Sequence, residues 1–208
     1  MGLFKRLFKK RSKPTGTPSA KRLRQLEKLA PQSTPMSSDR YWKIIARSLR
    51  KTRTMEEQRQ KLVVVLSKLK CADIVAFHLR TNQLLGESYH EDLLCALYLV
   101  EGRFDMKSFD YFRCWIISRG RRVFENALRN PDTLLVVFES ELEDHLFETF
   151  YYVAEEAFEN ETGSALQNYI AAGHNEIQHP EIELSWSATD PDSMHSICPA
   201  LFRKYARN

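Results

Sequence analysis

No lysine or arginine occurs between Asn130 and Phe202, although that stretch holds fifteen aspartates and glutamates. A segment of one sign repels phosphates, so nucleic acid is not an expected partner for it. Residues 1–53 lack the opposite sign: only Glu27 and Asp39 are acidic there, against sixteen basic residues, a balance of +14. Residues 54–208 carry fifteen basic and twenty-five acidic residues, a balance of −10. The formal net charge of +4 conceals two opposed halves.

Long apolar runs are also missing. The longest, Leu93–Val100, is eight residues, whereas a bilayer-spanning helix needs about 20. The basic start is not followed by an apolar stretch and a small-residue cleavage site, so no secretory signal is expected. Arg6 stands where a myristoylation signal requires Ser or Thr. The four cysteines, Cys71, Cys95, Cys114 and Cys198, show no Cys-x-x-Cys spacing, and reduced thiols in a cytosolic protein are the expectation. There is no glycine-rich phosphate loop, nucleophile elbow, or kinase or hydrolase signature. Accordingly no catalytic residue and no cofactor is assigned, and an enzyme would have to build its site from carboxylates distant in sequence.

What is present is a globular composition, 43 % hydrophobic and 11 % aromatic over 208 residues, enough for one domain with a core and an accessory segment. Residues 1–37 read as a basic extension. In the first ten, Leu3, Phe4, Leu7 and Phe8 form one helical stripe with Lys5, Arg6, Lys9 and Lys10 around it. So short a helix is marginal in water, but an anionic lipid interface would bury the stripe and attract the cations. The alternative is a solvated basic tail. Residues 11–20 and 31–38 are rich in Pro, Ser, Thr and Gly and read as linkers. Between them Leu23, Leu26 and Leu29 mark a second amphipathic piece, helical on contact.

From Ser38 onward the pattern is helical: an all-α domain over 38–208. Trp42, Ile45 and Leu49 share one helix face, and Thr54-Met55-Glu56-Glu57 has the capping-box form. Further helices are expected over Cys71–Leu85, Glu91–Val100 (ended by Gly102), Ser108 to Gly120, Arg121–Leu128, Leu142–Asn160 and Pro199–Tyr205. Leu134–Phe138 has a strand-like composition with no partner. After residue 173 the chain reads irregular until the last helix.

Several of these residues carry a resemblance. Trp42, the run SFDYFRCWIISRG over residues 108–120, Asn130-Pro131-Asp132, Tyr151, Val153, Gly163 and PALFRKY over 199–205 resemble the bacterial family catalogued as domain of unknown function 4240. The likeness spans roughly residues 40–208. It implies a mostly helical cytosolic bacterial domain and no established activity.

Candidate site residues fall in three groups. Arg119, Arg121 and Arg122 surround Gly120 and either cradle an anion or pair within the domain. His90-Glu91-Asp92 and His174-x-Glu176-x-x-His179 hold metal-competent donors, but the first suits a helix start and the second lacks helical period. No metal is assigned. Asp110 and Arg113 read as an ordinary surface pair. Finally, nine carboxylates fall within residues 139–161: Glu139, Glu141, Glu143, Asp144, Glu148, Glu155, Glu156, Glu159 and Glu161. Either they solvate a helix face or they dock a basic protein partner, as an inhibitor or immunity-type protein does, with Glu148, Glu155, Glu156 and Glu159 as charges and Tyr151 and Tyr152 as anchors. A membrane-recruited adaptor working through residues 1–30 is the alternative.

Overall fold

A computed structural model describes residues 18–140, 145–174, 177, 179 and 181–206 of the chain. The stripe Leu3, Phe4, Lys5, Arg6, Leu7 and Phe8 lies outside the described residues, as do Glu141, Glu143, Asp144 and Glu176. The described residues form eleven α-helices and no strand, an all-α architecture.

The order is α1 (Ala20–Glu27), α2 (Ser38–Leu49), α3 (Met55–Leu66), α4 (Cys71–Glu87), α5 (Glu91–Glu101), α6 (Met106–Ser118), α7 (Arg121–Arg129), α8 (Leu135–Ser140), α9 (Val153–Thr162), α10 (Pro191–Ile197) and α11 (Pro199–Tyr205). Start signals are carried by side chains. Thr54 Oγ1 accepts the Glu57 N–H at 3.1 Å, while Glu57 reaches one residue further back than the box predicts, to the Arg53 N–H at 2.7 Å. The helix expected from Ser108 begins two residues earlier, because Asp105 is its cap and Ser108 closes the reciprocal box. Gly120 links α6 to α7 with φ of 98°, a conformation that a Cβ disfavours.

Helix α9 is central. It packs on α1, α3 and α4, while α6 packs on α4, α5 and α7. Tyr41, Ile45, Leu62, Leu66, Ile74, Phe77, Phe109, Phe112, Trp115, Phe150 and Phe158 form the deepest layer, each essentially inaccessible. Burial on this scale contributes about 2 kcal/mol per large apolar side chain.

Four expectations need correction. A single helix over Leu142–Asn160 does not form: residues 145–147 are irregular, Glu148–Tyr152 is a 3₁₀ turn, and α9 starts at Val153. The backbone N–H of Phe147 crosses to the Tyr111 carbonyl at 3.1 Å instead of extending a local ladder. The strand-like Leu134–Phe138 is helical, following a 3₁₀ turn over Pro131–Leu134. The irregular stretch after residue 173 contains α10. Residues 18–37, composed like a linker, dock on the body: Gln32 bridges to Ile170, and the Met36 N–H meets the Ala76 carbonyl at 2.8 Å.

Candidate functional site

Helix α6 carries the chemistry. Its inward stripe is Phe109, Phe112 and Ile116, and Arg113 falls in the same stripe, four residues after Phe109. The pair read as a surface contact is therefore buried: Arg113 is 0 % exposed and Asp110 8 %. The Arg113 guanidinium donates to Asp110 Oδ1 and to the Leu85 carbonyl. Its remaining faces lie against the rings of Phe109 and Tyr89, at 4.7 and 4.9 Å from their centroids. Its Nε is buried without a hydrogen-bond partner among the described residues, facing aromatic surface. Such contacts with aromatic rings are worth about 2 kcal/mol when desolvated. His179 completes this side. Its ring stacks on Tyr89 with centroids 4.8 Å apart, and its Nε2 lies 3.8 Å from Asp110. Burial holds its pKa below the ordinary histidine value, with Asp110 opposing and Arg113 reinforcing that shift.

The next residue along α6 opens a second side. Tyr111 Oη donates to Glu148 Oε1 at 2.6 Å, which fixes the 3₁₀ turn against α6. Tyr152 and Tyr151 follow on that turn, their rings perpendicular at 5.1 Å. All three phenols are pushed above the ordinary tyrosine value, first by burial. The Glu148 hydrogen bond adds to the shift at Tyr111, Glu155 and Glu148 add to it at Tyr152, and Glu155 adds to it at Tyr151. Asp110 contributes to each of the three. Asp110 therefore joins two sides: it binds the buried Arg113 guanidinium, and it acts with Glu148 and Glu155 on the three phenols. Lys107 already lies over the Tyr111 ring, 5.5 Å from its centroid.

The residues expected to bind a partner divide between two places. Glu148, Tyr151, Tyr152 and Glu155 converge here. Glu155 is buried and accepts a hydrogen bond from Gln167 Nε2, so it lies in the floor of the cluster rather than on a docking face. Glu156 turns to α3, where Arg59 binds it together with Glu56. Glu159 is half-buried near the end of α9. The arginines around Gly120 also part company. Arg119 turns inward to Ser118 Oγ and Gln58 Oε1, Arg121 pairs with Glu125 at 2.6 Å and Asp39 at 3.1 Å, and Arg122 is exposed. Of the metal-competent groups, His90 caps α5, and Glu91 binds the backbone of Ser185 at 2.5 Å. Among the described residues no group of three or more His, Cys, Asp or Glu could hold a metal.

A family model described as a protein of unknown function, DUF4240, matches residues 36–160. The chain belongs to that family. The DUF4240 match runs from the segment before α2 through most of α9, so it holds Asp110, Tyr111, Arg113, Glu148, Tyr151, Tyr152 and Glu155 but stops short of His179. It is shorter than the likeness seen in the sequence, since PALFRKY lies beyond it. No curated protein and no solved structure matches the chain.

Sequence reasoning missed Asp110, Tyr111, Arg113 and Tyr89 as site residues. A signal for one was available: an arginine four residues after Phe109 and three before Ile116 falls inside the apolar stripe of its helix, where burial is the geometric consequence.

Proposed function

We propose that this protein is an interaction module that receives a cationic group of a basic protein partner at the cluster of Asp110, Tyr111, Glu148, Tyr151, Tyr152 and Glu155. The single observation behind it is the half-exposed rim, where Tyr111, hydrogen-bonded to Glu148, meets Tyr152 above buried carboxylates. A ring face beside a carboxylate suits a guanidinium: the ring takes its flat face and the carboxylate its N–H edge. The surrounding carboxylates speed encounter with a basic surface and disfavour acidic ones. An inhibitory, immunity-type role fits this surface, because a cationic active site is one such partner.

The test is affinity capture at low salt from the native host, comparing the intact protein with a Glu148→Lys/Tyr152→Ala variant. The intact protein is expected to retain a basic partner, and the variant to bind the isolated partner at least about 30-fold more weakly, the scale of losing one central anchor. Equal retention by a correctly folded variant rules the site out.

A further inference from the structure

We propose that the turn joining α2 to α3 is a docking surface for an anionic lipid bilayer. On α2 the exposed residues Lys43 and Arg47 fall at i and i+4, one helical face, and the exposed Arg50, Lys51 and Arg53 follow in the turn. None of these five side chains forms an ion pair with a described residue. Lys61 joins them, its ammonium bonded to the Arg50 carbonyl. The two carboxylates in the first turn of α3 are engaged, Glu57 on the Arg53 N–H and Glu56 on Arg59 and Gln60. Elsewhere in the fold Arg22, Arg40, Arg59, Arg113 and Arg121 all have carboxylate partners. Among the described residues, cations without a carboxylate partner also stand elsewhere, Lys21, Arg24, Arg103 and Arg122 among them, but here five fall within the eleven residues 43–53.

Lys51 supplies an independent sign. It is the one non-glycine residue with positive φ among the described residues, at 60°. It sits just past the end of α2, where a helix favours glycine because a Cβ strains the left-handed conformation. A lysine kept there gives up backbone comfort for a charge at the tip of the turn. The basic α2 stripe alone is also what a helix carboxyl end favours, but that effect does not require a lysine at the left-handed position.

Lipid is favoured over nucleic acid by the sequence of the first ten residues. Leu3, Phe4, Leu7 and Phe8 at helical spacing make a stripe that a phosphate backbone leaves in water and a bilayer interface covers. One short amphipathic segment gives marginal attachment, and a second basic surface on the same chain turns it into stable attachment.

The experiment is co-sedimentation of the full chain with vesicles of phosphatidylcholine containing about 30 % phosphatidylglycerol, against phosphatidylcholine alone. The protein is expected on the anionic vesicles and not on the neutral ones. Each cation near such a surface is worth about fivefold in partitioning, so a Lys43→Gln/Arg47→Gln/Lys51→Gln variant should bind about a hundredfold more weakly with an unchanged circular dichroism spectrum. Lys51→Gly separates strain from function: its melting temperature should rise by about 2–4 °C while vesicle binding falls about fivefold. Unchanged sedimentation of the triple variant overturns the proposal, because attachment then resides in the first residues alone. A preference of the intact protein for duplex DNA over vesicles of equal charge overturns it as well.

Discussion

His78 shows how a buried side chain sets a pH limit on the fold. On α4 it is 1 % exposed, its Nε2 lies 3.3 Å from Asn82 Nδ2, and its ring is 5.5 Å from that of Tyr151 on the 3₁₀ turn. Among the described residues neither its Nδ1 nor Asn82 Oδ1 has a hydrogen-bond partner, and burial lowers its pKa from 6.5 to about 4. Above pH 6.5 the ring is neutral in both folded and unfolded chains and contributes no pH dependence. Between about 6.5 and 4 the unfolded chain takes up a proton that the folded chain refuses, so stability falls by roughly 1.4 kcal/mol per pH unit, about 3 kcal/mol in all. Asp73 and Glu56, held below their ordinary values first by hydrogen bonds from Arg40 and Arg59, add their losses at lower pH. A His78→Leu variant should flatten urea-unfolding stability between pH 6.5 and 4. An unchanged slope would mean that His78 takes up its proton in the folded chain as readily as in the unfolded one.

At the level of elements, charges separated in sequence act as caps and joints. Asp132, from the turn Asn130-Pro131-Asp132, accepts the N–H groups of Ala200 and Leu201 at 2.8 and 2.9 Å, so it caps the first turn of α11 from 68 residues away. Two segments of the resemblance seen in the sequence, NPD and PALFRKY, are thereby one structural unit. The carboxylate also lies at the positive end of that helix. Asp132→Ala should cost about 1–2 kcal/mol and lower the melting temperature by about 3–6 °C. Amide exchange at Ala200 and Leu201 should accelerate first, and uniform acceleration across all helices would contradict a local capping role.

At the level of the whole molecule, the opposed halves of the sequence partly neutralise each other inside the fold. Arg22 of α1 reaches Glu161 of α9 at 2.9 Å and also donates to the Ser67 and Leu69 carbonyls at the end of α3. Arg40 of α2 binds Asp73 of α4, and within the second half Arg59 binds Glu156 and Lys204 binds Glu139 at 3.0 Å. The Arg22 side chain is only 12 % exposed, so its removal leaves Glu161 and two carbonyls without their donor. Arg22→Ala should destabilise the protein by about 2–4 kcal/mol, and Arg22→Lys should recover less than half, since an ammonium cannot serve three acceptors in a plane. Thermal melts of the two variants check this, and equal stability of the intact and Ala proteins would show that α1 does not belong to the folded unit. The same contacts make deletion of residues 1–30 a poor probe of membrane attachment, because it also removes this joint.

Helix class, most helix ends and the apolar faces were legible in the sequence because they depend on neighbours within about four positions. Gly102 and Gly163 stop their helices at positive φ, and Thr54 opens α3, as their local chemistry dictates. The break before α9 was not legible, since it depends on Phe147 bonding to a carbonyl on α6. Of the carboxylates expected to dock a partner, only tertiary structure decided that Glu155 is buried and Glu156 is bound by Arg59, and that Glu148 meets Tyr111. Periodicity records which side of its own helix a residue occupies. Which cation or phenol stands opposite is set by packing between segments up to 139 residues apart, and no local pattern carries that information.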